Sequence, residues 1–232
     1  MAPPTDPSLA RVSVELVALT LVDGAVCSRV RRRVEAPFRG RWALPGALVA
    51  GADLEASARG ALSEVTGVHA SRARIEQLGT YGAPHRDPRH RTVGVAWLAV
   101  LPGAPQPDAG SSGSGGAWRP VEWLLSRGRL AFDHRQILAD GMERTRAKLE
   151  YSTIATAFLE PEFTVASLRE VYEVVWGHRL DAGNFHRKVT RTEGFVQATG
   201  RRQTVGRGRP AELFTAGHEQ SLHPPLTRRS LA

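Results

Sequence analysis

Apolar and polar residues alternate from Arg11, with Val12, Val14 and Leu16 on one side, and the run then stays apolar to Val22. That period of two predicts a strand whose second half is buried on both faces. Asp23-Gly24 is a turn signal, and AVCSRVRRRV (25–34) is predicted as the returning strand, with Val26, Val30 and Val34 spaced along it. Residues 37–49 read as a loop leading into a short strand. The period becomes helical at 53–68, where Leu54, Ala58, Ala61, Leu62 and Val65 share a face. Asp53 is placed to cap that helix and Gly67 to close it. Strands are predicted at 75–82 and 92–101, either side of HRDPRHR (85–91). A long helix is predicted from Phe132 to Tyr151, with Ile137, Met142 and Leu149 among its few apolar positions.

From residue 152 the pattern is one of short helices and turns. Thr164 is a cap for VASLREVYEVVW, where Leu168, Val171, Tyr172 and Val175 share a face, and Gly177 stops it. Asp181 caps AGNFHRKVTRT, with Phe185 and Val189 pointing inward. FVQAT (195–199) and PAELFT (210–215) bracket an Arg/Gly turn as two strands of a hairpin would. Residues 1–10 are Pro-rich and expected to be disordered, 103–117 read as a low-complexity loop, and the chain after Ala216 reads as a loose tail.

Two capped helices followed by a hairpin describe a winged helix-turn-helix, in which the second helix enters the DNA major groove. Charge supports this. The chain has a net charge of +8, and its cations are almost all arginine, with Lys148 and Lys188 the two lysines. Residues 179–209 hold Arg179, Arg187, Lys188, Arg191, Arg201, Arg202, Arg207 and Arg209 against Asp181 and Glu193. Asn184, Arg187, Lys188 and Arg191 fall on the outward side of the second helix, where Asn reads adenine and Arg reads guanine. Arg201, Arg202, Arg207 and Arg209 are expected at the hairpin tip, thin enough there for a narrow minor groove. The plain alternative, a solvated basic face in an arginine-rich chain, does not explain why charge, helix phase and hairpin coincide.

Composition narrows the rest. The single cysteine, Cys27, excludes an internal disulfide and a multi-cysteine zinc site, which fits a reducing, cytoplasmic setting. No apolar run approaches the length of a membrane span, and the first residues lack the pattern of a signal peptide.

The segment LPGALVAGADLEASARGALSEVTGV resembles the Nudix box, G-x5-E-x7-R-E-U-x-E-E-x-G-U, which holds a divalent metal against a diphosphate. Gly46, Leu62, Gly67 and Val68 fill the frame. The first Glu falls on Ala52, the Arg on Gly60, the next Glu on Ala61, and the closing pair on Glu64 and Val65. Magnesium wants several hard oxygen ligands, and only Glu64 survives from that cluster. The expectation is a pocket kept for binding and not for hydrolysis, with no metal site. His85, His90 and His134 lack metal-ligand spacing and are assigned surface or structural roles.

Both halves together resemble the Nudix-related transcriptional regulators of NAD metabolism, the NrtR family. The motifs are Pro37-Phe-Arg-Gly-Arg-Trp-Ala-Leu-Pro-Gly46, the altered box, Asp87-Pro88-Arg89-x-Arg91, Leu130-Ala-Phe-Asp-His134, Lys148-Leu-Glu-Tyr151, Asn184-Phe185-x-Arg187-Lys188 and Gly206-Arg-Gly-Arg-Pro210. The resemblance implies an α/β + α chain: a Nudix-like α/β/α sandwich with a mixed sheet (11–130), a linker helix (131–151), a winged helix-turn-helix (152–215) and a tail (216–232). It implies a homodimeric repressor, cytoplasmic and nucleoid-associated, bound to a double-stranded DNA operator. No cofactor is required; the effector is ADP-ribose or a related nucleotide such as NAD, in control of NAD or sugar metabolism. Candidate ligand contacts are Trp42 for stacking, Arg41 and Arg89 for phosphate, Glu64 and Asp87 for ribose hydroxyls or a weakly held metal, and Phe132. Trp42 and Phe132 also suit plain core packing, and Asp87 suits a turn beside Pro88. Two alternatives are an active Nudix hydrolase with a nucleic-acid-binding appendage and a scaffold that has lost its ligand.

Overall fold

The computed structural model describes residues 9–49, 51, 53–103, 116–204, 210–223 and 225–227. The chain divides by contacts into two units. One holds Met1–Leu19, Cys27–Ala99 and Ala104–Gly141; the other holds Thr20–Val26, Val100–Gly103 and Met142–Ala232. The division falls inside the long helix, between Gly141 and Met142.

In chain order the first part of the molecule comprises β1 (Arg11–Val22), β2 (Ala25–Arg32), β3 (Trp42–Ala43), β4 (Gly46–Leu48), α1 (Leu54–Thr66), β5 (Arg74–Tyr81), β6 (Thr92–Val100), β7 (Gly116–Pro120), α2 (Val121–Ser126) and α3 (His134–Tyr151). The strands form one mixed seven-stranded sheet, ordered β3-β2-β1-β6-β5, with β4 added to β1 and β7 to β2. The apolar second half of β1 is buried, as its pattern predicts: Leu16, Val17, Ala18 and Leu19 are all inaccessible. Asp23 and Gly24 both take positive φ, the conformation that a tight hairpin of this twist needs. Asp53 accepts a hydrogen bond from the Ala56 amide at 2.8 Å, and Gly67 closes α1 in the left-handed region.

Two glycines allow close approach. A Cβ on Gly46 would collide with the Val14 carbonyl, so β4 can lie against β1 only with glycine there. A Cβ on Gly141 would come 2.8 Å from Val17 Cγ1, where α3 crosses the sheet.

The second unit contains α4 (Val165–Trp176), α5 (Ala182–Arg191), β8 (Val196–Gln203) and β9 (Ala211–Ala216). Thr164 and Ser167 cap α4 reciprocally, and Gly177 ends it at φ 76°. Asp181 accepts from the Asn184 amide at 2.7 Å. Tyr172 lies edge-on to both Trp176 and Phe185, with ring centroids 4.9 and 5.2 Å away, so α4 and α5 share one aromatic core. Phe163 exchanges both backbone hydrogen bonds with Phe214, tying the entry of α4 to β9.

Two expectations change. Strand β8 runs through Gln203, so Arg201 and Arg202 lie within a strand and not at the hairpin tip; Gly200 at φ 73° and the register shift between Ala198 and Arg202 let the strand continue past a bulge. The segment after Ala216 is not loose where it is described. The Leu222 amide donates to the Tyr151 carbonyl at 2.8 Å and the Leu226 amide to the Glu150 carbonyl at 2.7 Å. Both leucine side chains are buried. A helix end leaves its last carbonyls without partners, and this strap supplies the donors.

Replacing Leu222 with alanine is expected to destabilise the second unit by about 2–5 kcal/mol in denaturant unfolding of the full chain. A loose tail would leave the unfolding curve unmoved.

Candidate functional site

The first unit encloses a cavity of about 260 Å³. Four segments supply its charged and aromatic lining. β1 supplies Ser13 and Glu15. The end of β2 supplies Arg31, and Arg33, just beyond the strand but still in its alternation, lines the same wall. The loop between β5 and β6 supplies Arg86, Asp87 and Arg89, and the residues entering α3 supply Phe132 and His134.

Arg86 forms the floor. It grips Asp133 with two hydrogen bonds of 2.7 and 2.9 Å and reaches Glu15 Oε1 at 3.2 Å from both terminal nitrogens. Burial pushes the Glu15 carboxyl above its usual range, with Arg86 and the Ser13 hydroxyl acting against that shift. A Cβ on Gly94 would come 2.6 Å from Arg86 Nη1, so β6 carries glycine where the triad lies across it.

The rim is cationic. Burial lowers the Arg33 pKa, and the neighbouring charges of Arg89 and Arg31 lower it further. Crowded like charges favour whatever anion relieves them. Asp87 holds Arg89 through bonds of 2.7 and 3.0 Å to its guanidinium. Burial alone would raise the Asp87 pKa, and the Arg89 bonds outweigh it and hold the carboxyl below its usual range.

Aromatic rings stand among these cations. Phe132 has its ring under the Arg33 and Arg89 guanidinium groups at 4.8 and 5.5 Å, and meets Phe38 edge-on at 4.9 Å. Both phenylalanines take positive φ, 66° for Phe38 and 49° for Phe132. Bulky residues avoid that region unless their surroundings hold them there. The adjacent Asp133–Arg86 pair does so for Phe132.

The sequence-predicted ligand residues separate accordingly. Asp87, Arg89 and Phe132 meet on the cavity. Trp42 does not: its ring is 6% exposed and lies beneath Arg32 and Arg119, because in β3 it takes the face opposite to Ala43, which does line the cavity. Arg41 is exposed beside Phe38, 5.0 Å from its ring, and Glu64 is exposed on α1; neither lines the cavity. Glu15, Arg31, Arg33, Phe38 and Arg86 were missed, although alternation along RVRRR already puts Arg31 and Arg33 on one side. Among the described residues no group of three or more His, Cys, Asp or Glu side chains could hold a metal. In sequence, the other acidic and basic positions of the box carry alanine, glycine and valine.

On the second unit, Asn184, Arg187, Lys188 and Arg191 follow one another at helical spacing along α5, opposite buried Phe185 and Val189. Arg187 donates to the Asn184 side-chain oxygen at 2.7 Å. Arg201, in β8, is ion-paired with Glu162, and Arg202 is exposed. Arg207 and Arg209 lie outside the described residues.

Comparison with known proteins now bears on these two sites. The NUDIX domain family model matches residues 11–141, and the model of the NrtR DNA-binding winged helix domain matches residues 155–216. A crystal structure of Shewanella oneidensis NrtR complexed with a 27mer DNA superposes with a TM-score of 0.82 at 30% identity, covering 93% of this chain and 99% of that one. The chain belongs to the NrtR family. Within the family, it is 29% identical over 209 residues to the ADPR responsive transcriptional repressor NtrR of Acinetobacter baylyi, covering 88% of this chain and 80% of that protein. The isolated NUDIX domain of Shewanella oneidensis NrtR, crystallised with ADP ribose, matches 61% of this chain and 94% of that one at 31% identity and a TM-score of 0.51.

His134 gives this NrtR-family chain a testable pH response. It accepts the Leu44 amide hydrogen bond at 2.9 Å, and burial lowers its pKa to about 3. Its folded value lies below its unfolded one, so the unfolded chain takes the proton more readily. Stability is full above about pH 6.5 and is lost as pH falls toward 3, by up to about 1.4 kcal/mol per pH unit. In urea titrations from pH 8 to 4, the difference between wild type and His134→Leu should narrow by that slope.

Proposed function

We propose that this chain is an ADP-ribose-responsive transcriptional repressor. Its Nudix domain binds the effector and its winged helix binds a double-stranded DNA operator. The observation that carries the reading is the cavity itself, where Arg33 and Arg89 lie over the Phe132 ring and Arg31 lines the same wall within an NrtR-family frame. A diphosphate fits paired guanidinium groups, which bind its oxygens through charged, bidentate hydrogen bonds. A planar base fits the Phe132 ring once a guanidinium leaves it for the phosphate. Asp87 accepts from ribose hydroxyls beside them.

The chain does not hydrolyse its ligand in this reading, since metal-assisted attack needs a held ion to polarise phosphate and generate the nucleophile. It needs no cofactor. It acts as a cytoplasmic homodimer whose operator half-sites lie about one helical turn, or a multiple of it, apart. On DNA, Asn184, Arg187, Lys188 and Arg191 face the major groove, with Arg201 and Arg202 on the wing and Arg207 and Arg209, which follow them in the sequence, as further phosphate contacts. Effector binding alters operator affinity only through unequal affinity for the two arrangements of the protein. The genes controlled belong to NAD or sugar metabolism.

The test is a gel shift on DNA upstream of the protein's own coding region, with and without ADP-ribose. A shift at low salt that ADP-ribose changes supports the reading; failure to shift any DNA overturns it. Magnesium-dependent release of AMP from ADP-ribose would restore the hydrolase alternative. By calorimetry, Arg33→Gln and Arg89→Gln should each weaken ADP-ribose binding by about 10- to 100-fold, the worth of a charged hydrogen bond, and Glu64→Gln should leave it unchanged.

A further inference from the structure

The alternation that sends Arg31 and Arg33 into the cavity sends Arg32 to the other face of β2. There the sheet register sets Arg32 beside Trp42 and Arg119 beside Ser28. Both guanidinium groups lie over the Trp42 ring, at 4.5 and 5.3 Å, and both arginines are exposed while the ring is closed off. Arg32 also donates to the Gly40 carbonyl at 2.7 Å, between exposed Arg39 and Arg41. The Trp42 amide donates to the Arg129 carbonyl at 2.9 Å, bringing up exposed Arg129 and its near neighbour Arg127. None of these arginines lines the cavity. The chain is densely basic here: Arg29, Arg31, Arg32, Arg33, Arg39 and Arg41 occur within thirteen residues, with Glu35 the one acid among them.

We propose that this outer face, centred on Arg32, Arg119 and Arg129 around Trp42, is a second anion-binding surface that lies along the phosphate backbone of duplex DNA. It rests on reading the chain as a DNA-binding regulator. Two features choose the partner. These arginines are exposed and spread along the face, whereas the donors that gather around a small ligand line the cavity on the other side. Surfaces that hold single strands offer open aromatic rings for base stacking, and Trp42 is covered by its own two arginines. What remains is fixed positive charge without a reader of bases, which is what the duplex backbone requires. Stacking on indole holds each guanidinium in place, so less side-chain freedom is lost when a phosphate arrives.

The experiment titrates the full chain with its own upstream duplex and with an unrelated duplex of equal length, between 50 and 200 mM salt. Each phosphate contact contributes about 0.9 to the slope of log affinity against log salt. The variant R32Q/R119Q/R129Q should therefore lose less affinity than wild type over this range, by about 40-fold and equally on both duplexes. Its ADP-ribose affinity should be unchanged, which reports an intact cavity. If that affinity is lost, R127Q/R129Q, which leaves both stacked guanidinium groups in place, decides by the same readout, with about 12-fold expected. A slope equal to that of wild type overturns the surface and leaves the regulator reading standing. Loss of poly-glutamate binding with an unchanged DNA slope assigns the face to an acidic protein and likewise overturns the proposal. A wild-type chain that binds neither duplex overturns both.

Discussion

One buried guanidinium, that of Arg86, holds the ligand-facing side of the first unit together. It comes from a loop, yet it lies 4% exposed between Glu15 on β1 and Asp133 at the entry to α3. Two carboxylates around one cation leave an excess negative charge out of water, and Glu15 Oε2 finds no hydrogen-bond partner. Such a site is expensive to desolvate, and removing one member of a buried pair costs about 3–5 kcal/mol because the other is left uncompensated. What the arrangement gives in return is position. The loop cannot drift from β1, so Asp87 and Arg89 stay at the cavity rim. Asp133 cannot turn away, so Phe132 keeps a backbone conformation that it would otherwise leave. Glycine at 94 is the steric condition for all of this.

Around that floor the cavity sorts its charges by depth. Glu15, Asp133 and the neutral imidazole of His134 lie beneath, and at the mouth Arg31, Arg33 and Arg89 outnumber Glu35 and Asp87. A ligand with a diphosphate and a planar ring meets guanidinium groups that are already crowded and partly desolvated. The strand that carries two of them presents a third arginine to the opposite side. A run that looks like undifferentiated basic composition is divided by the pleat into two surfaces with different shapes.

Much of the fold was legible in the sequence, because hydrophobic period and caps are local signals. The buried half of β1, the turn at Asp23-Gly24, the Asp53 and Gly67 ends of α1, and the Thr164, Gly177 and Asp181 boundaries all follow from neighbouring residues. The site was legible only where a motif was compact, as with Asp87-Pro88-Arg89. Trp42 was misjudged because the motif gives its place in the chain but not the face of the strand it takes; Ala43, one residue on, faces the cavity instead. Arg86 and Glu15 were invisible because a contact between residues 71 positions apart leaves no periodic trace. The tail was misread for the same reason: Leu222 and Leu226 are scattered among prolines and polar residues, and only the open end of α3 explains their burial.

That seam has a consequence in time. The amides of Leu222 and Leu226 close on the Tyr151 and Glu150 carbonyls, which were synthesised more than seventy residues earlier. Contacts of such long span are the slow ones in folding, and domains generally mature in the order in which they are made. The first unit can acquire its shape before Leu222 and Leu226 have left the ribosome. The second unit keeps an open helix end until they arrive, so its packing is completed after that of the first.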